Sequence, residues 1–306
     1  MSTRVLFVGG LGRSGSTVLE LLLGATPRVA AIGEVRHLWE RGLRDNSLCA
    51  CGEPFHECPF WRAVGEQAFG GWGTVDPEQA IATARAVDRH RQLPATAVSS
   101  RLRAPQLDAY GSMLARLTAA VADVAGAEVV VDSSKDPPHG YVLRRSPGIE
   151  LSAVHIVRDP RGVAYSWAKA VRRPDAPDGA LMTRTSTARS ALMWLDANAL
   201  VEMLARLGVP TVRIRYEDLI VDPAGQAGKA LAVAGLQISV DGIQEGRIVP
   251  GVQHAIAGNP VRFGRGPLEL RLDDEWRRAM PARDRRLVTA LTAPMLPRYG
   301  YPVRAA

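Results

Sequence analysis

The residues best suited to chemistry in this sequence are an unusual set for an anion site. Gly9-Gly10-Leu11-Gly12-Arg13-Ser14-Gly15-Ser16-Thr17 lies between an apolar run and a helical pattern. A glycine-rich turn feeding a helix N-terminus presents backbone N–H groups, and the helix dipole adds roughly half a positive charge. The Gly10 to Gly15 spacing is that of a phosphate-binding loop, but Ser16 stands where such a loop carries its Lys. Without that Lys the loop is poorly suited to hydrolysing a nucleoside triphosphate, and Arg13 and Ser14 are left to meet the anion. An ordinary glycine-rich turn is the alternative.

Further along, four more positions fit the same theme. Glu34, in Gly33-Glu34-Val35-Arg36, follows a short extended segment, at the strand end where ligands of an open sheet collect, or stands as a solvated helix-start carboxylate. Lys135 ends the run Val129-Val130-Val131-Asp132-Ser133-Ser134-Lys135, and only three of the 38 basic residues are Lys. A compact ammonium there suits charge stabilisation on a leaving group. Arg158 ends another apolar run, and Ser166 lies eight residues on, about two turns into a helix. Together they can grip one phosphate from two sides; an Arg–Asp pair bracing the turn is the alternative. The late segment 249–268, with His254, Arg262 and Arg265, has four glycines, three prolines and little periodicity, and it reads as a lid-like loop.

These positions require an α/β fold. Val5–Val8, Pro27–Ile32, Glu128–Val131, Ser152–Val157 and Thr211–Arg215 read as short buried strands of a parallel sheet. Helices are expected after Ser16, after Glu34 (Leu38, Trp39, Leu43), over Gly162–Val171, Arg184–Leu207 and Val221–Ala234, and as two terminal helices in 273–297. Pro174–Gly179 reads as a polar loop. In an open sheet of this kind ligands collect at the carboxyl ends of the strands, where all the candidates fall. Segment 44–126 carries no strong strand. Its helices, Trp61–Phe69, Pro77–His90 and Pro105–Ala125, read as an insertion that shapes an acceptor pocket, with Trp39, Phe55, Phe60, Trp61 and Trp72 lining it or simply packed. No repeat or long linker divides the 306 residues, which predicts one domain.

Composition narrows the partners. The net charge is +7 and the chain is 46% hydrophobic. No run of five Lys or Arg occurs, so a polyanionic cofactor explains the charge better than nucleic acid. The Arg-rich, Ala- and Val-rich usage points to a bacterial source. No signal peptide or apolar span opens the chain, which predicts a cytoplasmic protein. Cys49, Cys51 and Cys58 lie within ten residues. Their spacing is not a usual zinc pattern, so free thiols or an incidental disulfide is the expectation, with no metal.

The segments together resemble the sulfotransferases that use PAPS (3′-phosphoadenosine 5′-phosphosulfate). Gly10–Thr17 resembles their 5′-phosphosulfate loop. Arg158 with Ser166, inside VRDPRGVAYS, resembles their 3′-phosphate site. Gly33-Glu34-Val35-Arg36 is similar to the tyrosylprotein sulfotransferase segment that carries the base, and Lys135 in SSKDP resembles that group's KDP. Tyr216 in RYEDL resembles a Tyr that touches the adenosine bisphosphate. The Lys-containing loop and His base of the cytosolic aryl and steroid enzymes do not occur, and their late RKGxxGDWK-type loop is matched only loosely by GNPVRFGRG, so Arg262 and Arg265 are weaker carry-overs. The resemblance implies a single P-loop-type domain with PAPS as donor and PAP (3′-phosphoadenosine 5′-phosphate) as product. It implies that no metal is required. It places Gly12, Arg13, Ser14, Gly15, Ser16, Thr17, Arg158, Ser166, Tyr216, Arg262 and Arg265 on the cofactor. Glu34, Lys135 and Arg13 carry the reaction, sulfuryl transfer to a hydroxyl of a small molecule, glycan or lipid. A P-loop small-molecule kinase, or a non-catalytic anion- or nucleic-acid-binding module, is the alternative.

Overall fold

The computed structural model describes residues 2–97, 104–169, 184–240, 243–244, 247–264 and 266–303. The expected loop Pro174–Gly179 and Arg265 lie outside the described residues, as does the expected helix end at Val171.

The chain builds a five-stranded parallel sheet. Its strands are β1 (Thr3–Gly9), β2 (Val29–Ala31), β3 (Val129–Lys135), β4 (Ile149–Val157) and β5 (Thr211–Arg215), in the order β2-β3-β1-β4-β5. β1 is central because its apolar run is covered on both faces, with Val5, Leu6, Phe7 and Val8 fully buried. Its register pairs Val5 with Val130 of β3 and with Leu151 of β4. The chain winds from β1 outward to β2 on one side, then from β3 across to β4 and β5 on the other. That reversal opens a crevice at the carboxyl ends of the central strands.

Helices α1 (Ser16–Gly24), α2 (Pro59–Phe69), α3 (Pro77–Val87), α4 (Leu93–Ala97), α5 (Ala104–Ala125) and α6 (Pro137–Arg145) come from the first half. The second half supplies α7 (Pro160–Ala168), α8 (Thr187–Arg206), α9 (Tyr216–Val221), α10 (Pro223–Val233), α11 (Trp276–Ala279) and α12 (Ala282–Thr292). One core joins Val5, Phe7 and Val130 to the helices of 59–125. The other face of the sheet, through Leu6, Val8, Val131 and Ile156, packs on α1 and α10. Among the described residues no helix is long and apolar enough to cross a membrane.

Three departures from the sequence pattern matter. First, β3 runs past its apolar part through Asp132-Ser133-Ser134 to Lys135. These polar residues are buried yet satisfied: Ser133 donates to Glu20 at 2.5 Å, Ser134 donates to Asp132 at 2.5 Å, and Asp132 bonds His139 Nε2 at 2.8 Å. Second, the helix after Glu34 is a 3₁₀ turn (Val35–His37) followed by a π-helix (Leu38–Arg44). Third, a small antiparallel sheet, β6 (Ile243–Gln244), β7 (Arg247–Ile248) and β8 (Leu268–Glu269), has two-residue strands too short for periodicity to reveal. The helix expected over Val221–Ala234 is α10, which starts two residues later at Pro223 with Asp222 as its cap; Val221 instead ends the short α9, because Pro223 cannot continue a helix.

The aromatic residues of the insertion pack the core. Phe55 and Trp61 are fully buried, Trp39 nearly so, and Phe55 stands 5.3 Å from the Trp61 ring and 5.1 Å from that of Trp72. Each such side chain contributes about 1.5–3 kcal/mol by leaving water. Of the two alternatives for Trp39, Phe55, Phe60, Trp61 and Trp72, packing is the one these contacts show, and none of the five lines the cleft described next.

Candidate active site

All five parallel strands deliver a residue to one cleft of about 530 Å³ at their carboxyl edge. Arg13 follows β1, Glu34 follows β2, Lys135 ends β3, Arg158 follows β4 and Tyr216 follows β5. Ser166, from the second turn of α7, lines the same cleft, as do Gly12, Gly15, Ser16 and Thr17.

The glycine-rich loop is left-handed at Arg13 (φ 74°), which strains a residue with a Cβ, and at Gly15 (φ 89°), which glycine adopts freely. A Cβ at Gly15 would stand 2.6 Å from the Tyr216 ring, so only glycine lets the loop reach that wall. Lys135 is also left-handed, at φ 66°, and its carbonyl accepts from Gly10 N at 3.1 Å. This turn ends β3 and swings the Lys135 side chain into the cleft. Ser14 is buried, and its hydroxyl has no hydrogen-bond partner among the described residues.

Lys135 Nζ donates to Glu34 Oε1 at 2.6 Å and to Ser133 O at 3.0 Å. Burial works against the Glu34 carboxylate, but the Lys135 ammonium outweighs it, with help from His37, and holds Glu34 below the usual carboxylate range. His37, 3.6 Å from Glu34, is pushed down to about 4 by burial, with Glu34 opposing. Arg13 is lowered by burial, with Glu34 opposing. Glu20, beneath Ser133, is raised by burial.

At the other end, Asp159 caps α7 through Arg161 N and takes the Arg161 guanidinium at 2.8 and 2.6 Å. The pair that braces this turn is thus Asp159 with Arg161. Arg158 instead turns into the cleft, donating to Arg13 O at 3.1 Å and stacking over the Tyr216 ring at 4.4 Å. It also meets Asp273, at 2.6 Å to the carbonyl and 3.0 Å to the carboxylate. Burial raises the Asp273 carboxyl, but Arg158 more than reverses this and leaves it lowered.

Several lining residues carried no sequence signal. Arg41 reaches the cleft because the wider π-helix leaves Leu38, Trp39 and Leu43 in the core and turns Arg41 away from it. Trp167 donates to Gly12 O at 3.1 Å and lies under Arg13. Asp273 comes from an irregular stretch. Segment 249–268 supplies Gly258, Asn259 and Val261. It is stitched beside Glu34 by backbone pairing, Ile256 N to Ile32 O at 3.0 Å and Glu34 N to Ile256 O at 2.8 Å. Arg262 lies apart from the lining, buried, donating to Gly258 O at 2.8 Å and stacked on Phe263.

A buried network fixes the floor. His139 sits between Asp132, at 2.8 Å, and Asp88, at 3.1 Å, and Arg36 reaches both Asp88 and Asp136. Arg36 N donates to Ser134 Oγ at 3.1 Å, joining the Glu34 turn to the end of β3. Among the described residues the group able to hold a metal is Cys49, Cys51, Cys58 and His254, none of which lines the cleft.

No model of a known protein family matches the chain, and no curated protein matches it. Two solved structures share its fold. The sulfotransferase domain of the Synechococcus PCC 7002 olefin synthase superposes with a TM-score of 0.54 at 18% identity, covering 98% of this chain and 96% of that one. The sulfotransferase domain from the curacin biosynthetic pathway gives 0.52 at 14% identity, covering 99% of each chain. At these identities the likeness is one of architecture.

Proposed function

We propose that this protein is a PAPS-dependent sulfotransferase that moves a sulfuryl group to an acceptor hydroxyl, with Glu34 as general base. The observation that carries the reading is the convergence of Arg13, Glu34, Lys135, Arg158 and Tyr216, one per strand, on a single cleft. The sulfotransferase architecture of the two structural neighbours supports it.

The chain's residues fit such a donor. The Ser14 hydroxyl is buried at the base of the loop without a partner among the described residues, and Gly15 leaves the loop backbone bare. The first four N–H groups of a helix have no intrahelical acceptor, so the start of α1 offers donors beside Arg13. PAPS when bound supplies the sulfuryl group and a 5′-phosphate leaving group. Gly12–Thr17 hold that end. Arg158 and Ser166 hold the 3′-phosphate, which selects the donor over a nucleoside triphosphate. Lys135 stabilises negative charge on the leaving oxygen, a contribution of roughly 3–4 kcal/mol. Glu34, ionised under the Lys135 field, accepts the acceptor's proton at its carboxylate oxygens, worth typically 10²–10⁴ in rate. Positioning and charge do most of the work, as in phosphoryl transfer.

Calorimetry separates this from a kinase. PAP is expected to bind, while ATP with Mg²⁺ is expected to bind far more weakly. Transfer from radiolabelled PAPS to a panel of hydroxylated small molecules, glycans and lipids identifies the acceptor. Preference for ATP–Mg²⁺ over PAP overturns the reading.

A further inference from the structure

Cys49, Cys51 and Cys58 share one loop, and His254 arrives from 196 residues beyond Cys58. Their ligand atoms all lie within 4.8 Å of one another. The edges are specific. Cys51 Sγ lies 3.7 Å from Cys58 Sγ, which is 3.8 Å from Cys49 Sγ. His254 Nδ1 is 3.3 Å from Cys58 Sγ and 3.7 Å from Cys49 Sγ. A tetrahedral zinc ion, with Zn–S about 2.3 Å and Zn–N about 2.0–2.1 Å, sets ligand edges of about 3.8 Å for S···S and about 3.5 Å for S···N. A disulfide needs sulfurs about 2.05 Å apart and would leave the third thiol and the imidazole unexplained.

We propose that these four side chains form a structural zinc site of the Cys₃His type. Cys49 and Cys58 are buried, and four protein ligands leave no position for water, as in sites that hold folds together and unlike catalytic ones. On binding, the three thiols release their protons to solvent and His254 donates its neutral Nδ1 lone pair, leaving the centre with one net negative charge and no change of oxidation state.

The surroundings are built for it. Gly52, at φ 97°, turns the chain so that its N–H reaches Cys49 O at 2.9 Å, a tight knuckle between the first two ligands and Cys58. Cys58 is the residue from which α2 starts. The His254 ring stacks on Phe60 at 4.6 Å, and its carbonyl accepts from Trp61 Nε1 at 2.9 Å. Ala50 N reaches Ala255 O at 3.0 Å. The ion thus clamps the strap at 254–258 to the loop before α2. Two residues past His254, Ile256 pairs with Ile32 and Glu34. Zinc therefore secures the segment that walls the carboxylate. The inference stands on this geometry and holds whatever reaction the cleft performs.

The test is metal content. The full chain, purified without added chelator, is expected to carry about one zinc per molecule, retained through dialysis and released stoichiometrically by a mercurial reagent. Cys58→Ser and His254→Ala are expected to lose most of it. Because these variants can misfold, the decisive measurement is on the parent chain. After zinc is stripped under denaturing, reducing conditions and the chain refolded, Co²⁺ alone is expected to produce thiolate charge-transfer bands and the intense visible absorption of a tetrahedral site, and Zn²⁺ to displace it. Refolded protein that takes up neither ion overturns the proposal. So does native protein whose three thiols react freely with a disulfide reagent, or whose mass is lower by two hydrogens.

Discussion

Replacing Glu34 by Gln separates basicity from shape. The amide oxygen keeps an acceptor for Lys135 Nζ, which lies 2.6 Å from Oε1 in the parent. What disappears is the proton acceptor, so turnover should fall about 10²–10⁴-fold, or roughly 3–5 kcal/mol of barrier. Anion binding should move the other way. The cleft is lined by the cations Arg13, Arg41, Lys135 and Arg158 and by the carboxylates Glu34 and Asp273. For an assumed separation of about 8 Å, removing one negative charge beside a phosphate is worth about 0.5 kcal/mol at the dielectric of water and about 2 kcal/mol at an effective value near 20. PAP should therefore bind roughly 2- to 30-fold tighter. Calorimetry with PAP and single-turnover transfer from radiolabelled PAPS read the two effects independently. Turnover within about tenfold of the parent removes Glu34 from the base role, and a PAP affinity that falls along with turnover refutes the charge argument.

Three other outcomes follow from the same geometry. Arg158→Ala should weaken PAP binding by about 1.5–3 kcal/mol while leaving AMP binding nearly unchanged; equal losses for both would remove Arg158 from the 3′-phosphate. Asp273→Asn should tighten PAP, because the carboxylate now occupies Arg158 at 3.0 Å. Its partial exposure limits the gain to about 1 kcal/mol or less, and weaker binding would mean that Asp273 assists the ligand. Fold stability should decline in alkali as His139 loses its proton. Burial pushes this imidazole down, but Asp132 and Asp88 reverse the effect and raise it to about 10 from 6.5. Its contribution is complete below pH 6.5 and is lost as pH rises through about 10. Urea midpoints across that range should fall in the parent and flatten in His139→Gln; a parallel decline in both removes His139 as the cause.

Local pattern is enough to tell which residues stand at strand ends. An apolar run of four or five residues has one place to go in a chain this size, the middle of a covered sheet, and whatever follows it must emerge at the carboxyl edge. Hence Arg13, Glu34, Lys135, Arg158 and Tyr216 were legible from local pattern and motif, and the cleft gathers all five. Thr211–Arg215 was legible to the residue. The full length of β3 was not, because Asp132, Ser133 and Ser134 become strand residues only once Glu20, His139 and the backbone of β1 supply their hydrogen bonds.

Which aromatic residues pack, and which side chains meet across long sequence separations, emerges from three-dimensional packing alone. Helical spacing describes a face and is silent on what covers it, so Trp61 and Phe55 were as compatible with a pocket as with the core that holds them. Arg41 turns on a π-helix whose extra residue per turn defeats a 3.6-residue count. Asp273 reaches Arg158, and His254 reaches three cysteines, through chain closures with no periodicity at all. Pairings of that kind arise when the packed sheet brings distant loops to the same rim, and no window of local sequence contains both partners.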